Sequence, residues 1–339
     1  MQYEPDDVLL ITGIPGWLGN RMLDILIKGD RHGNYAVDRK IRLLVQPKFK
    51  DFRLLPANIK LFYGDVTDKD SLKNALKDVK TVYHLAGEVY PKNIESYYKV
   101  NFEGTKNLVD ACIELGVKRF LFMSTDSVCG FGRSKRIFDE HEASHPYKHY
   151  GRSKFLAEEY IFKKTSEGLI KGTSLRGFWF FGPFMSERNL KFLKMFYWKR
   201  QIVFGNGKNF RGISHVDNVV QAFIKAEKKN ETIGKWYWIG DKKPDYTVEE
   251  IYKNLADGLG VVYKPFYIHP WICELFGKLD SLLSAFGYLN STFNAAGKFH
   301  KDIAGEITAA QRDFDYKPDV GFEEIKKEVH DMMVKSIKK

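Results

Sequence analysis

The chain has 339 residues, 44% hydrophobic and 29% charged, enough for two domains or for one large domain with a cap, and too apolar for wholesale disorder. Lys+Arg number 54 and Asp+Glu 43, a net charge of +11, but the lysines are spread along the chain with no nucleic-acid motif, so no nucleic-acid partner is expected. Cys112, Cys129 and Cys273 are odd in number and far apart, which supports neither a disulfide framework nor a metal site. With an acidic, polar opening and no apolar run of about 18 residues, the expectation is a cytoplasmic protein.

Apolar runs and helical patterns alternate through the first half. Strands are expected at residues 8–11, 41–45, 59–66, 81–86 and 119–124, with helices at 18–28, 71–77 and 96–115 between them. Such alternation reads as α/β, a doubly wound parallel sheet with helices on both faces. After residue 170 long aromatic-rich pieces appear and helices cluster towards the end. The expected division is 1–175, with later strands returning from about 210–240, and a second, interwoven part at 176–339. Thr247-Val248-Glu249-Glu250 has capping-box spacing, and Gly258 and Gly260 are placed to end the helix it starts.

The first strand runs into a turn holding Gly13, Gly16, Trp17, Leu18 and Gly19. Gly13 suits a sharp strand-to-helix turn, Gly16 a close approach to a pyrophosphate, and Gly19 close packing of helix on sheet. The helix N-terminus then offers N–H donors to phosphates. Where the second strand ends, an acid would favour NAD. This chain has Gln46 and Lys48, with Lys50 beyond, which leans the cofactor to NADP over NAD.

Tyr150 and Lys154 are four residues apart, on one face of a helix. A phenol of pKa about 10 is a poor base until a neighbouring ammonium favours the phenolate. Ser124 and Thr125 end the fifth strand, where ligands sit in open α/β sheets, and a hydroxyl there can donate to a developing alkoxide.

These residues resemble the extended short-chain dehydrogenase/reductase superfamily, the NAD-dependent epimerase/dehydratase group, with features of its 3β-hydroxysteroid dehydrogenase-like branch. The landmarks run in order: residues 12–19, Gly64-Asp65-Val66, His84-Leu85-Ala86-Gly87, Asn101, Gly104-Thr105, Ser124-Thr125, Tyr150, Lys154, Gly182-Pro183, residues 215–219 and residues 312–318. The resemblance implies a Rossmann fold with a smaller, mostly helical C-terminal substrate domain. It implies that Asp65 and Val66 contact adenine, that Ala86 and Gly87 line the dinucleotide, and that Asn101 holds the central sheet and an active-site water. It implies Thr125, Tyr150 and Lys154 as the catalytic set, a small-molecule substrate, and a homodimer through helices at 95–116 and 150–165.

Three features bear on the chemistry. Asp126 is followed by Ser127 where dehydratases carry a Glu, which demotes dehydration. Arg211, four residues before His215, matches the diphosphate-binding Arg of sugar-nucleotide enzymes, but the second clamping position offers only Lys298. Phe178 and Phe181 open an aromatic-rich stretch that reads as an apolar substrate pocket. The leading expectation is hydride transfer to or from a lipophilic secondary alcohol or ketone. The alternatives are a nucleotide-sugar 4-epimerase with tightly bound NAD and a non-catalytic dinucleotide-binding protein. The apolar face spaced from Trp271 to Phe286 is expected to pack on its own domain rather than on a membrane.

Overall fold

The structure, a computed structural model, describes residues 4, 7–49, 55–132, 136–198 and 200–337. In chain order the elements are β1 (Val8–Ile14), α1 (Trp17–Lys28), β2 (Ile41–Val45), β3 (Ile59–Tyr63), the short α2 (Lys73–Leu76) and β4 (Val79–His84). Next, α3 (Glu95–Tyr97) passes through a π-helical turn at Tyr98–Glu103 into α4 (Gly104–Glu114). Then come β5 (Arg119–Thr125), α5 (Lys148–Ser166), β6 (Lys171–Gly177), β7 (Trp179–Phe181), α6 (Glu187–Tyr197), β8 (Ile202–Phe204) and β9 (Ile213–His215). The chain finishes with α7 (Val216–Glu227), β10 (Trp236–Ile239), α8 (Val248–Gly258), β11 (Phe266–Ile268), α9 (Pro270–Ala285), α10 (Ser291–Phe299), α11 (Thr308–Phe314) and α12 (Phe322–Ile337).

Seven strands form one parallel sheet in the order β10-β6-β5-β4-β1-β2-β3. The order reverses between β1 and β4, and that switch point opens the crevice at the carboxyl ends of the strands. Alternate residues of β1 serve opposite faces. Leu9 and Ile11 pack with Met22 and Leu23 of α1 and with Val219 and Phe223 of α7. Val8 and Leu10 pack with Leu108 and Cys112 of α4 and with Ala157 and Ile161 of α5. This is the doubly wound sheet expected of the sequence.

Beyond β6 the pieces are short. The pairs β7–β9 and β8–β11 are parallel two-stranded ribbons, and α7 and β10 return to the main sheet. The capping box at α8 is formed: Glu250 N–H donates to Thr247 Oγ1 at 3.1 Å and Thr247 N–H to Glu250 Oε2 at 2.7 Å. Gly260, at φ 66°, follows the end of that helix.

Phe178 and Phe181 are packed into cores: Phe178 stacks on Trp238 at 4.9 Å beside Phe138, and Phe181 packs against Phe322, Leu193 and Val203. Composition cannot tell the two uses of an aromatic apart. The helix with the apolar face, α9, buries only its inner side, Cys273 with the half-buried Ile272, Phe276 and Leu283. Trp271, Leu275, Leu279, Leu282 and Phe286 face outward. Among the described residues no helix is long and apolar enough to cross a membrane.

Candidate active site

At the dinucleotide end the glycines leave no room for side chains. A Cβ on Gly13, which has φ 86°, would lie 2.6 Å from the Leu85 carbonyl carbon, and one on Gly19 would lie 2.5 Å from the Gly13 oxygen. Loop, helix and the segment after β4 therefore meet backbone to backbone. Helix α1 is capped by Gly16 with no side-chain acceptor and has no acid in its first turn, so its leading amides are open to an anion. The residues present fit a dinucleotide diphosphate. The Trp17 side chain has a structural use as well, its Nε1–H donating to Pro183 O at 2.7 Å while Leu18 is buried.

Past β2, Gln46 donates to Asp65 at 2.7 Å, and Asp65 also accepts from the Thr67 N–H and hydroxyl, each at 2.9 Å. Burial raises the Asp65 pKa, but these bonds and the Lys48 charge outweigh it and hold the carboxylate below its ordinary range. Val66 is buried beside this turn. Lys48 lies over the Phe49 ring, and Lys50 falls outside the described residues. His84, wholly buried, links Thr12 of β1 to Thr105 of α4 at 2.7 and 2.9 Å. Burial, with the Lys154 charge, keeps it neutral. Ala86 N–H donates back to Thr12 Oγ1.

Helix α5, which carries Tyr150 and Lys154, is set in place by three devices. Asn101, on the π-helical turn, donates to Ser153 Oγ and to Glu88 O, both at 3.0 Å, and accepts from the Glu88 N–H at 2.7 Å. Gly151 lies against the Ser127 carbonyl, where a Cβ would come within 2.2 Å, so the start of α5 sits directly on the end of β5. Glu158, one turn beyond Lys154, pairs with the buried Arg176 of β6 at 2.6 Å.

Tyr150 and Lys154 lie one turn apart on α5, and the Thr125 hydroxyl at the end of β5 approaches the Tyr150 phenol. Lys154 Nζ lies 4.0 Å over the Phe122 ring, and a Cβ on Gly87 would stand 3.6 Å from it. Lys154 makes no ion pair among the described residues, and burial lowers its pKa to about 7 against the pull of Glu158. The Tyr150 pKa is raised, first by burial and then by the Asp126 charge, and the approach of the Thr125 hydroxyl does not offset this.

The region beyond Thr125 is charged. Asp126 is buried, not solvent-bonded. It accepts from Thr125 at 3.0 Å, from Ser127 at 3.1 Å and from Lys298 at 3.2 Å, and Lys298 also donates to Ser127 Oγ at 2.8 Å. Burial raises the Asp126 pKa, yet the charges of Lys298 and Arg211 prevail and keep it ionised. Arg211 is buried, its guanidinium 4.5 Å over the Phe299 ring, and its Nε and Nη1 find no hydrogen-bond partner. Such orphan donors are costly. Ser124, at the end of β5, is also buried.

Sequence reasoning missed two contributors. Lys298 was weighed only as a weak second phosphate clamp, whereas it reaches the residues next to Thr125. The Glu158–Arg176 pair was not singled out; an acid four residues after Lys154, on the buried face of α5, was the available signal.

The comparisons agree with this geometry. The model of the NAD dependent epimerase/dehydratase family matches residues 9–240. An Escherichia coli O157:H7 relative, N-acetyl-alpha-D-glucosaminyl-diphospho-ditrans,octacis-undecaprenol 4-epimerase, is 31% identical over 264 residues, covering 75% of this chain and 72% of its own. An Arabidopsis thaliana 3beta-hydroxysteroid-dehydrogenase/decarboxylase is 25% identical over 270 residues, covering 74% of this chain and 47% of its own. Among solved structures, the UDP-glucose 4-epimerase of Thermotoga maritima superposes with a TM-score of 0.74 at 22% identity, covering 97% of this chain and 99% of that one.

Proposed function

The chain belongs to the NAD-dependent epimerase/dehydratase family, an NAD(P)-binding group of enzymes on small molecules, and we propose that it inverts a secondary alcohol of a diphosphate-linked sugar by oxidation and re-reduction. The observation that carries this reading is Arg211, a buried guanidinium with two nitrogens lacking partners, 4.5 Å over Phe299 and close enough to Asp126 to feel its charge. A diphosphate supplies the missing acceptors and charge in one group. The E. coli relative, whose printed substrate is a diphosphate-linked sugar on a polyprenol, supports the same class and joins the lipophilic and sugar-diphosphate expectations in one molecule.

Residues 1–175, with the segment returning at about 210–240, hold the dinucleotide, and 176–339 mainly hold substrate. The Gly13–Gly19 turn and the open amides of α1 would hold the dinucleotide, which would supply reversible hydride exchange at the carbinol carbon. Tyr150 accepts and returns the hydroxyl proton, and Thr125 donates to the substrate oxygen. The raised pKa leaves the phenol protonated, ready to protonate an alkoxide in the return step. Lys154 supplies the positive charge that the forward step needs. Elimination of water is not favoured: an ionised Asp126 has no proton to give, and Ser127 is no base. Lys48 and the absence of an acid after β2 favour NADP, and a helix-mediated homodimer remains the proposed assembly.

The test is incubation of the purified protein, with no added nicotinamide, with N-acetylglucosamine joined through diphosphate to a short prenol, followed by proton NMR at the sugar carbinols. The expected result is a second epimer with wild type and, for Tyr150→Phe, a rate lower by roughly 100- to 10,000-fold. Net oxidation or reduction that requires added cofactor, with no epimer formed, would return the reading to a lipophilic-alcohol dehydrogenase.

A further inference from the structure

Helix α9 has two faces with different fates. Its inner face packs against α10 and the start of α5. Asp280 pairs with Lys148 at 3.0 Å, two residues before Tyr150, and accepts from Asn294 of α10 at 3.2 Å. Phe276 stacks on Phe293 at 5.0 Å, and Gly277 meets Gly297 with no space for a Cβ between them, beside Lys298 at Asp126.

The outer face is apolar and bare. Trp271, Leu275, Leu282 and Phe286 recur along one side of the helix and its end, with exposed Phe266 of β11 before it and exposed Tyr288 after it, Trp271 being 62% and Phe286 73% exposed. That is a strip about 24 Å long at 1.5 Å per residue. Apolar strips of this size mark contact surfaces. The charges set the kind of contact. Both acids of α9 are taken: Glu274 by His300 and Lys301, Asp280 by Lys148. Lys264 and Lys278 are exposed and make no ion pair among the described residues, so the outward charge is positive. An apolar face with aromatic residues at both ends and lysines in and beside it matches a bilayer interface carrying anionic headgroups. A second copy fits worse: a twofold pairing about the middle of α9 would set Lys278 against its own symmetry mate.

We propose that the outer face of α9, with β11, docks the enzyme flat on an anionic lipid bilayer and holds the crevice mouth at the headgroup level. Docked this way, the enzyme meets a diphosphate-linked sugar while its carrier stays in the membrane, an advantage that rests on the substrate reading above. Lys148 and the Gly277–Gly297 contact couple the docked helix to the catalytic one.

The experiment is flotation of the full chain with phosphatidylcholine vesicles, with and without one-third phosphatidylglycerol, in low and high salt. Wild type is expected to float with the anionic vesicles and less so in high salt. Trp271→Ser with Phe286→Ser is expected to weaken binding by about tenfold or more. Lys264→Glu with Lys278→Glu is expected to weaken it by at least about fivefold per lysine, on anionic vesicles only. Both variants should keep the melting temperature and the turnover of a water-soluble UDP-linked sugar. No flotation of wild type, or equal flotation of the variants, overturns the docking. So does loss of a dimer in the variants, which assigns the face to a second copy. Flotation uses no substrate, so its failure leaves the epimerisation reading standing, and failure of epimerisation leaves flotation standing.

Discussion

At the dinucleotide end of the crevice, Gly13, Gly16 and Gly19 bring backbone against backbone, and the nearby side chains of Thr12, His84, Gln46 and Asp65 are all hydrogen-bonded to one another or to the chain. At the end proposed for substrate, Asp126, Lys298 and Arg211 come from three distant segments; Asp126 and Arg211 are buried, Lys298 is half-buried, and two guanidinium nitrogens lack partners. The first end is complete apart from open helix amides and is suited to any dinucleotide. The second carries unspent charge, and unspent buried charge indicates a particular ligand. The contrast teaches that specificity in this chain lies in what the fold leaves unsatisfied.

The contrast breaks most severely at the dinucleotide end. Gly19→Ala pushes a methyl to within 2.5 Å of the Gly13 oxygen. The loop must shift, at a cost of about 1–3 kcal/mol, and the expected outcome is loss of retained nucleotide together with turnover. Mass analysis of nucleotide released on denaturation checks this; a variant retaining full nucleotide would show that the tight loop is not needed.

A smaller effect sharpens the contrast from the middle of the site. Lys154 has a folded pKa of about 7 against 10.5 when free, because of burial. Between those values the unfolded chain binds more protons than the folded one, so this group makes stability rise with pH through that window. Lys154→Met is therefore expected to abolish turnover and yet raise the melting temperature of the nucleotide-free protein. The gain should be largest below about pH 7, fade towards pH 10, and amount to at least roughly 1–2 °C, the equivalent of about 1 kcal/mol for a chain of this length. Melting curves of both proteins across that range decide the point; a variant less stable at pH 6.5 would contradict it.

The two ends also differ in how legible they were. Gly13 to Gly19, and Tyr150 with Lys154, lie within one turn or one helix, and local spacing is what a sequence displays. Five of the seven strands of the main sheet, β1 to β5, were expected nearly where they lie because buried parallel strands read as unbroken apolar runs, whereas β6, of sequence Lys171–Gly177, carries no such run. Lys298 and Asp126 are 172 positions apart, and no periodicity joins them. Phe178 and Phe181 do not declare their use, because a core and a pocket draw on the same residues. The three-residue strands β7, β8, β9 and β11 are too short for a pattern, and the π-helical turn carrying Asn101 has no compositional mark. The bare outer face of α9 was invisible because an apolar stripe does not say whether anything covers it.

The account turns on Arg211 as the group that awaits a diphosphate, and calorimetric titration of inorganic pyrophosphate and of UDP into wild type and Arg211→Met tests it directly. Loss of a buried charged contact costs about 2–5 kcal/mol, so the variant should bind both ligands at least about 30-fold more weakly, with its retained nucleotide unchanged. Equal affinities in the two proteins would contradict the account and leave Arg211 a structural residue of the core.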